Sequence, residues 1–379
     1  MLFSTIIYLC FSGFLYLFGE VAKSELTIKH NKRFWTPSIL CIILTFTIFS
    51  GLRYYVGVDY SSYYKYYNQL LKGLPIDSIY SDFEPIFTHI SSFLAYCNAG
   101  HIIYFSVWAF LQVSLFYYGI KDRKYIYPFV GLVLVLGPYF LSWSNGLRQV
   151  IVSCAFVVFS HYIVERKFLR YAIAIFICSF MHKSAIILLP LYFLPVKDYF
   201  KNRYICICLL LICAFLGQKA VLKDSLTLLE PLLANIGYSS YAENINVFID
   251  SDATMAYGPR RIVLLITYIL IIWFSPVLKE KYRDQYFLFT YNMFYVYICL
   301  FDLLSNVSNV FARPILYLNP FALIMTAYLL TYLRSQSGSK IIIFWIALIF
   351  SCSYLALDCI ANINNPNEVS LYKSILFVN

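Results

Sequence analysis

Charged side chains are scarce in this sequence. Asp, Glu, Lys and Arg together make up 13% of 379 residues, and only 19 residues are acidic. A soluble domain carries about a quarter charged residues, so an ordinary water-facing surface is excluded. Glycine-rich phosphate loops are missing too. Neither a Walker-type loop nor G-x-G-x-x-G occurs, which leaves nucleotide chemistry without its usual cradle. There is no H-E-x-x-H and no C-x-x-C, so the spacings of common zinc sites are absent. The 11 cysteines fall mostly inside apolar runs, as at Cys206, Cys208 and Cys213, and read as small apolar side chains. No metal and no cofactor are expected, and any reaction has to draw its energy from the substrate itself.

Apolar residues are abundant. They make up 61% of the chain and form runs near 2–19, 35–52, 101–120, 125–142, 146–163, 203–217, 261–278, 286–304, 314–333 and 341–357. These lengths approach the roughly 20 residues that span a bilayer as helix. The expected fold is all-α, a polytopic helical membrane protein forming one integral membrane domain over residues 1–379. The first run counts as a span, because its charges follow the apolar stretch and no small-residue cleavage site appears. The net charge of +10 is explained first by the positive-inside rule. The basic residues are dispersed in short loops, which gives nucleic-acid binding no support.

Six basic clusters set the topology: Lys23/Lys29/Lys32/Arg33, Lys121/Arg123/Lys124, Arg166/Lys167/Arg170, Lys197/Lys201/Arg203, Lys279/Lys281/Arg283 and Arg334/Lys340. Placing all six on the cytoplasmic side assigns 18 of the 29 Lys and Arg residues there. Parity then makes Glu84–Cys97 an amphipathic or re-entrant outer helix. The run 169–195, interrupted by Met181-His182-Lys183, is expected to cross twice as a hairpin of two short helices; one continuous tilted helix is the competing reading and would invert the topology downstream. The count is about twelve crossings with outer loops near 53–100 and 218–259. In the first loop Tyr60, Tyr63, Tyr64 and Tyr67 share one helix face, and headgroup anchoring is their first explanation.

The basic residues left over include Arg53, Arg148, Arg260, Arg261 and Arg313, each at the expected outer end of a span. The positive-inside rule disfavours them there, and guanidinium grips phosphate oxygens with paired hydrogen bonds. Arg148 belongs to S-N-G-L-R-Q, which opens a helix with Ser144 or Asn145 as N-cap. A cation in that first turn is unfavourable by roughly 0.3–1 kcal/mol, a penalty that a bound anion removes. Asn145 and Gln149 share the face of Arg148. Gly57 allows a turn that folds Asp59 back toward Arg53. Glu84, before Pro85, is either a helix-start acid or a ligand or base for a sugar hydroxyl. His182 is the candidate base at the hairpin turn, and Asp302 is expected to pair with Arg313 or Arg148.

The stretch R-Y-Y-V-G-V-D-Y (Arg53–Tyr60), F-E-P-I-F (Phe83–Phe87), N-G-L-R-Q (Asn145–Gln149), F-M-H-K-S-A (Phe180–Ala185) and G-P-R-R (Gly258–Arg261) resembles, in order, the EpsG family of Wzy-type O-antigen and exopolysaccharide polymerases. The resemblance implies a metal-independent, C-type glycosyltransferase-like membrane enzyme at the outer face of the bacterial inner membrane. Its substrates would be undecaprenyl-diphosphate-linked oligosaccharides: a growing glycan as donor and the non-reducing sugar of a second repeat unit as acceptor. Membrane lipid and a chain-length regulator would be its other partners. The residues suit that chemistry. Arg53, Arg148, Arg260, Arg261 and Arg313 are candidates for the diphosphate. His182, then Asp59 and Glu84, are candidates for the base, and Tyr60, Asn145, Gln149 and Asp302 for the sugar. An O-antigen ligase would share the donor site. A lipid-linked oligosaccharide flippase would need charge along its depth, which the nearly uncharged mid-spans lack. A membrane O-acyltransferase would need its histidine on the cytoplasmic side.

Overall fold

The computed structural model describes residues 2–27, 33–77, 80, 83–218, 258–304, 313–363 and 369–377. Among these the chain is helical: α1 (Leu2–Thr27), α2 (Pro37–Gly51), α3 (Tyr60–Leu71), α4 (Pro85–Tyr96), α5 (His101–Gly119), α6 (Tyr127–Leu136), α7 (Tyr139–Ser144), α8 (Leu147–Val164), α9 (Phe168–Ser179), α10 (Arg203–Leu216), α11 (Pro259–Lys281), α12 (Gln285–Leu304), α13 (Asn319–Arg334), α14 (Lys340–Cys352) and α15 (Tyr354–Ala361). Three longer 3₁₀ segments, Lys121–Ile126, Lys183–Phe193 and Arg313–Leu318, join them. Several helices begin with proline inside the first turn, as at Pro37, Pro85 and Pro259, where the missing N–H costs nothing.

Seven described helical segments are long and apolar enough to cross a membrane, and four further apolar helices are shorter. The expectation was about twelve crossings. The difference lies in segments such as α2, only 15 residues long, and the run 125–142, which is split at Gly137 into α6 and α7. The long loop near 218–259 falls almost wholly outside the described residues.

The basic clusters meet at one end of the bundle. Lys124 donates to the Arg33 carbonyl at 2.7 Å, Arg334 to Glu20 at 2.6 Å, Lys279 to Asp198 at 2.7 Å and Arg123 to Asp284 at 3.2 Å. Helices α8, α11 and α13 each run from the opposite end toward this one, finishing at Val164, Lys281 and Arg334. The run 169–195 turns back on itself: the Tyr171 hydroxyl donates to the Leu188 carbonyl at 2.6 Å, and Arg166 reaches the carbonyls of Tyr192 and Leu194. The return limb is a 3₁₀ helix containing Pro190, and His182 sits at the turn. Ser184 does not cap that limb; its hydroxyl bonds the Tyr317 hydroxyl at 2.7 Å.

The tyrosine face of α3 packs on protein. Tyr60 stacks on Phe105 at 4.5 Å and Tyr67 on Tyr104 at 3.9 Å, and Tyr60, Tyr63, Tyr66 and Tyr67 are all buried. Tyr60 and Tyr67 dock α3 onto α5, and Tyr63 and Tyr66 dock it onto Phe83 and Phe87 at the start of α4, so the headgroup-anchor expectation does not hold for them. The C-terminal segment 369–377 straps the opposite side of the same loop. Tyr54 N–H donates to Lys373 O at 2.8 Å, Gly57 N–H to Val369 O at 2.9 Å, and Ile375 N–H to Leu52 O at 2.9 Å.

Helices α1 and α6 touch backbone to backbone. A Cβ on Gly19 would fall 2.7–2.8 Å from Pro128 backbone atoms, and one on Gly131 would fall 2.7 Å from Leu15 Cβ. Gly131→Val should therefore force the helices apart and cost about 1–3 kcal/mol. The measurement is the thermal unfolding midpoint in detergent; an unchanged midpoint would show that this contact is not tight.

Candidate active site

At the end away from the basic clusters lies a cavity of about 560 Å³. Its walls come from the loop after α2 (Gly57, Asp59), from α3 (Tyr63), from the α7–α8 junction (Asn145 to Gln149) and from the hairpin turn (His182). The heads of α11 and the 313–318 turn add Arg260 and Arg313, and α15 with the C-terminal strap adds Asp358, Val369 and Ser370.

Two glycines shape the junction between the first loop and α8. Gly57 has φ +96° and Gly146 has φ +54°, conformations that side-chain-bearing residues rarely adopt. Gly146, rather than Ser144 or Asn145, occupies the N-cap position of α8. Its N–H donates to the Asp59 carboxylate at 2.7 Å, and the Asp59 N–H donates to Asn145 Oδ1 at 3.3 Å. Asp59 therefore caps α8 from another part of the chain and does not pair with Arg53.

Glu84 is the hub of the site. One carboxylate oxygen accepts from His182 Nδ1 at 2.9 Å and from the Lys183 N–H at 3.0 Å; the other holds the Arg148 guanidinium in an ion pair. Arg148 also lies over the Phe83 ring at 4.0 Å, a cation–π contact. The anion expected beside Arg148 in the first turn of α8 is thus supplied by the protein's own Glu84. Burial alone would raise the Glu84 carboxyl, but His182, the Lys183 N–H and Arg148 outweigh it and hold the group down at about 2.

The remaining candidates divide. Arg260 enters the cavity and pairs with Asp358. Arg313 enters it with no carboxylate partner among the described residues; its backbone carbonyl accepts from the Gln149 amide. Asn145 and Gln149 line the cavity, but these hydrogen bonds hold the framework. Arg53 is 2% exposed, donates to the Ser50 carbonyl at 2.8 Å and lies 5.0 Å from the centre of the Phe105 ring. It lies away from the cavity, as does Tyr60 beside it. Arg261 turns the other way and forms a buried ion pair with Asp302, so Asp302 pairs with neither Arg313 nor Arg148. Helical spacing explains the split of Arg260 from Arg261: adjacent residues on a helix point about 100° apart.

Tyr63, Asp358 and Ser370 were missed from the sequence. Asp358 carried a usable signal, since an acid near an apolar span is a site candidate by default; Ser370 carried none. The expectation of no metal also overlooked Asp250-Ser251-Asp252, an Asp-x-Asp spacing of the kind that can hold a divalent metal. That pair lies outside the described residues.

A comparison with known families matches residues 38–374 to the model of the EpsG family. No curated protein and no solved structure matches.

Because Glu84 ionises far below its ordinary value of 4.5, the stability it contributes is complete above about pH 4.5 and is lost as pH falls through about 2. Glu84→Gln should leave Arg148 without its counter-ion and cost about 3 kcal/mol. It should also flatten the loss of stability below pH 4.5. Unfolding midpoints measured from pH 7 to pH 3 check both; an unaltered acid limb would show that Glu84 is not the hub.

Proposed function

The chain belongs to the EpsG family, whose members are Wzy-like polymerases, and from that premise we propose how this multi-pass membrane protein extends a polysaccharide. The donor is a growing glycan on undecaprenyl diphosphate. The acceptor is a hydroxyl on the non-reducing sugar of a second undecaprenyl-diphosphate-linked repeat unit. Transfer takes place at the outer face of the bacterial inner membrane, in the cavity bounded by Asp59, Arg148, His182, Arg260 and Arg313.

The observation that carries this reading is the contact between Glu84 and His182 Nδ1. A carboxylate accepting from Nδ1–H fixes the imidazole tautomer and leaves Nε2 with its lone pair. His182 borders the cavity, so Nε2 serves as base for the acceptor hydroxyl. The acceptor oxygen forms a bond to the anomeric carbon of the donor as that carbon's bond to the diphosphate oxygen breaks. The hydroxyl proton moves to Nε2, and undecaprenyl diphosphate leaves with the electron pair. Glu84 stabilises the imidazolium that forms. Negative charge grows on the leaving diphosphate, where Arg313 and the free N–H groups of Arg260 bind it; preorganised donors of this kind contribute about 2.7–4 kcal/mol each. Arg148, in the cavity wall, holds Glu84 in place behind it. Metal is not required in this scheme, because the guanidinium groups supply the positive charge.

The test uses purified full-length protein and a synthetic lipid-linked repeat unit in excess chelator. The wild-type protein should form a ladder of products. His182→Ala should slow ladder formation by about 10²–10⁴-fold while leaving the protein folded. A wild-type protein that makes a ladder only when divalent metal is restored would remove metal independence, one that makes none with or without chelator would remove the polymerase reading, and near-normal ladders from His182→Ala would remove His182 as base. Arg313→Ala should raise the concentration of donor needed for half-maximal rate.

A further inference from the structure

The cavity contains a second charged cluster that the scheme above leaves unexplained. Arg260, from the first turn of α11, pairs with Asp358 of α15. The other Asp358 oxygen accepts from the Ser370 hydroxyl on the C-terminal strap. The strap is itself held, because Tyr8 donates to the Ser370 carbonyl at 2.7 Å; at the end of α15 the Asn362 amide donates to the Asp358 carbonyl at 2.9 Å. The Asp358 side chain is 10% exposed, whereas the Arg260 side chain is 37% exposed. The carboxylate therefore belongs to the wall, and the guanidinium presents its remaining N–H groups to the hollow.

Charge counting shows what this cluster does. Three guanidinium groups, from Arg148, Arg260 and Arg313, border the cavity. Three carboxylates oppose them: Asp59 and Asp358 in the wall, and Glu84 behind it on Arg148. Asp59 and Glu84 are committed to the head of α8 and to His182. Asp358 opposes Arg260, one of the two arginines that this reading assigns to the diphosphate. A site that bound diphosphate with uncompensated arginines would hold the leaving group as tightly as the donor, and turnover would stall at release.

We propose that Asp358, braced by Ser370, is a built-in counter-ion that aims Arg260 into the cavity and weakens its hold on the lipid diphosphate, so that the product leaves. The proposal rests on the diphosphate reading above. Asp358 touches neither sugar nor phosphate; it is a positioning residue acting through Arg260. One carboxylate of fixed charge near a bound dianion in a partly dry cavity lowers affinity by roughly tenfold.

Asp358→Asn is the informative change. The amide oxygen still accepts from Arg260, and the Ser370 hydroxyl rotates to accept from the new NH₂, so the geometry persists while the charge goes. Binding of farnesyl diphosphate and of inorganic pyrophosphate to the full chain in detergent should tighten roughly tenfold. In the ladder assay kcat and KM should fall together, with added farnesyl diphosphate inhibiting at lower concentration. Tightening for farnesyl diphosphate alone assigns the site to a lipid-linked group; tightening for both assigns it to the diphosphate itself. Either keeps the role of Asp358. Wild-type protein that binds the probes while Asp358→Asn binds no more tightly overturns this inference and leaves the polymerase reading intact. Wild-type protein that binds neither probe overturns the diphosphate reading as well. If Asp358→Asn does not fold, Arg260→Gln is compared with the double variant Arg260→Gln/Asp358→Asn. The double should recover about tenfold of the affinity that the single loses, and no recovery overturns the counter-ion role.

Discussion

A buried carboxylate with three donors organises this molecule. Glu84 receives Arg148, His182 and the Lys183 N–H, and so joins α4, α8 and the hairpin turn at one point. Each of those groups would be costly to bury alone. Together they satisfy one another, and the geometry they impose leaves one imidazole nitrogen for chemistry. In the proposed scheme the same contact serves stability and reactivity. It also explains why the head of α8 tolerates a cation in its first turn.

Around this hub the polar residues separate into those that build the cavity and those that face it. Asp59 caps α8 across the gap between two loops, and the Gln149 amide fixes the Arg313 backbone. The C-terminal strap closes the remaining side by pairing its backbone with the loop at Leu52, Tyr54 and Gly57. Arg53 lies beneath that junction, its own backbone bridged to Ser374, and its guanidinium lies beside Phe105 and Tyr60. The backbone at this position fastens the first loop to the end of the chain, while the guanidinium donates to the Ser50 carbonyl and keeps Nε and Nη2 buried without a hydrogen-bond partner among the described residues.

The balance of charge in the cavity is the second theme. A diphosphate-handling enzyme has to stabilise charge that develops on the leaving group and then surrender the product, and these demands oppose each other. In the proposed scheme, pairing Arg260 with a wall carboxylate while leaving Arg313 without one among the described residues divides the two tasks between two side chains. Arg261 and Asp302 cancel each other out of reach of the hollow, which keeps a further pair of charges from disturbing that balance.

Much of the architecture was legible from the chain alone. Apolar run length, basic clusters and the short helices on either side of His182 are local features, and burial in lipid makes local hydrophobicity decisive. Asn145, Arg148, His182, Arg260 and Arg313, read from the chain as lying at span ends, border one cavity. The partners of those residues were not legible. Glu84 meets Arg148 across 64 positions and His182 across 98, and Arg260 meets Asp358 across 98. No periodicity encodes such distances. The sequence determined which residues stand at the ends of helices; only the packing of helix against helix decided which opposite charge each would find, because ion pairing depends on separation in space and not along the chain.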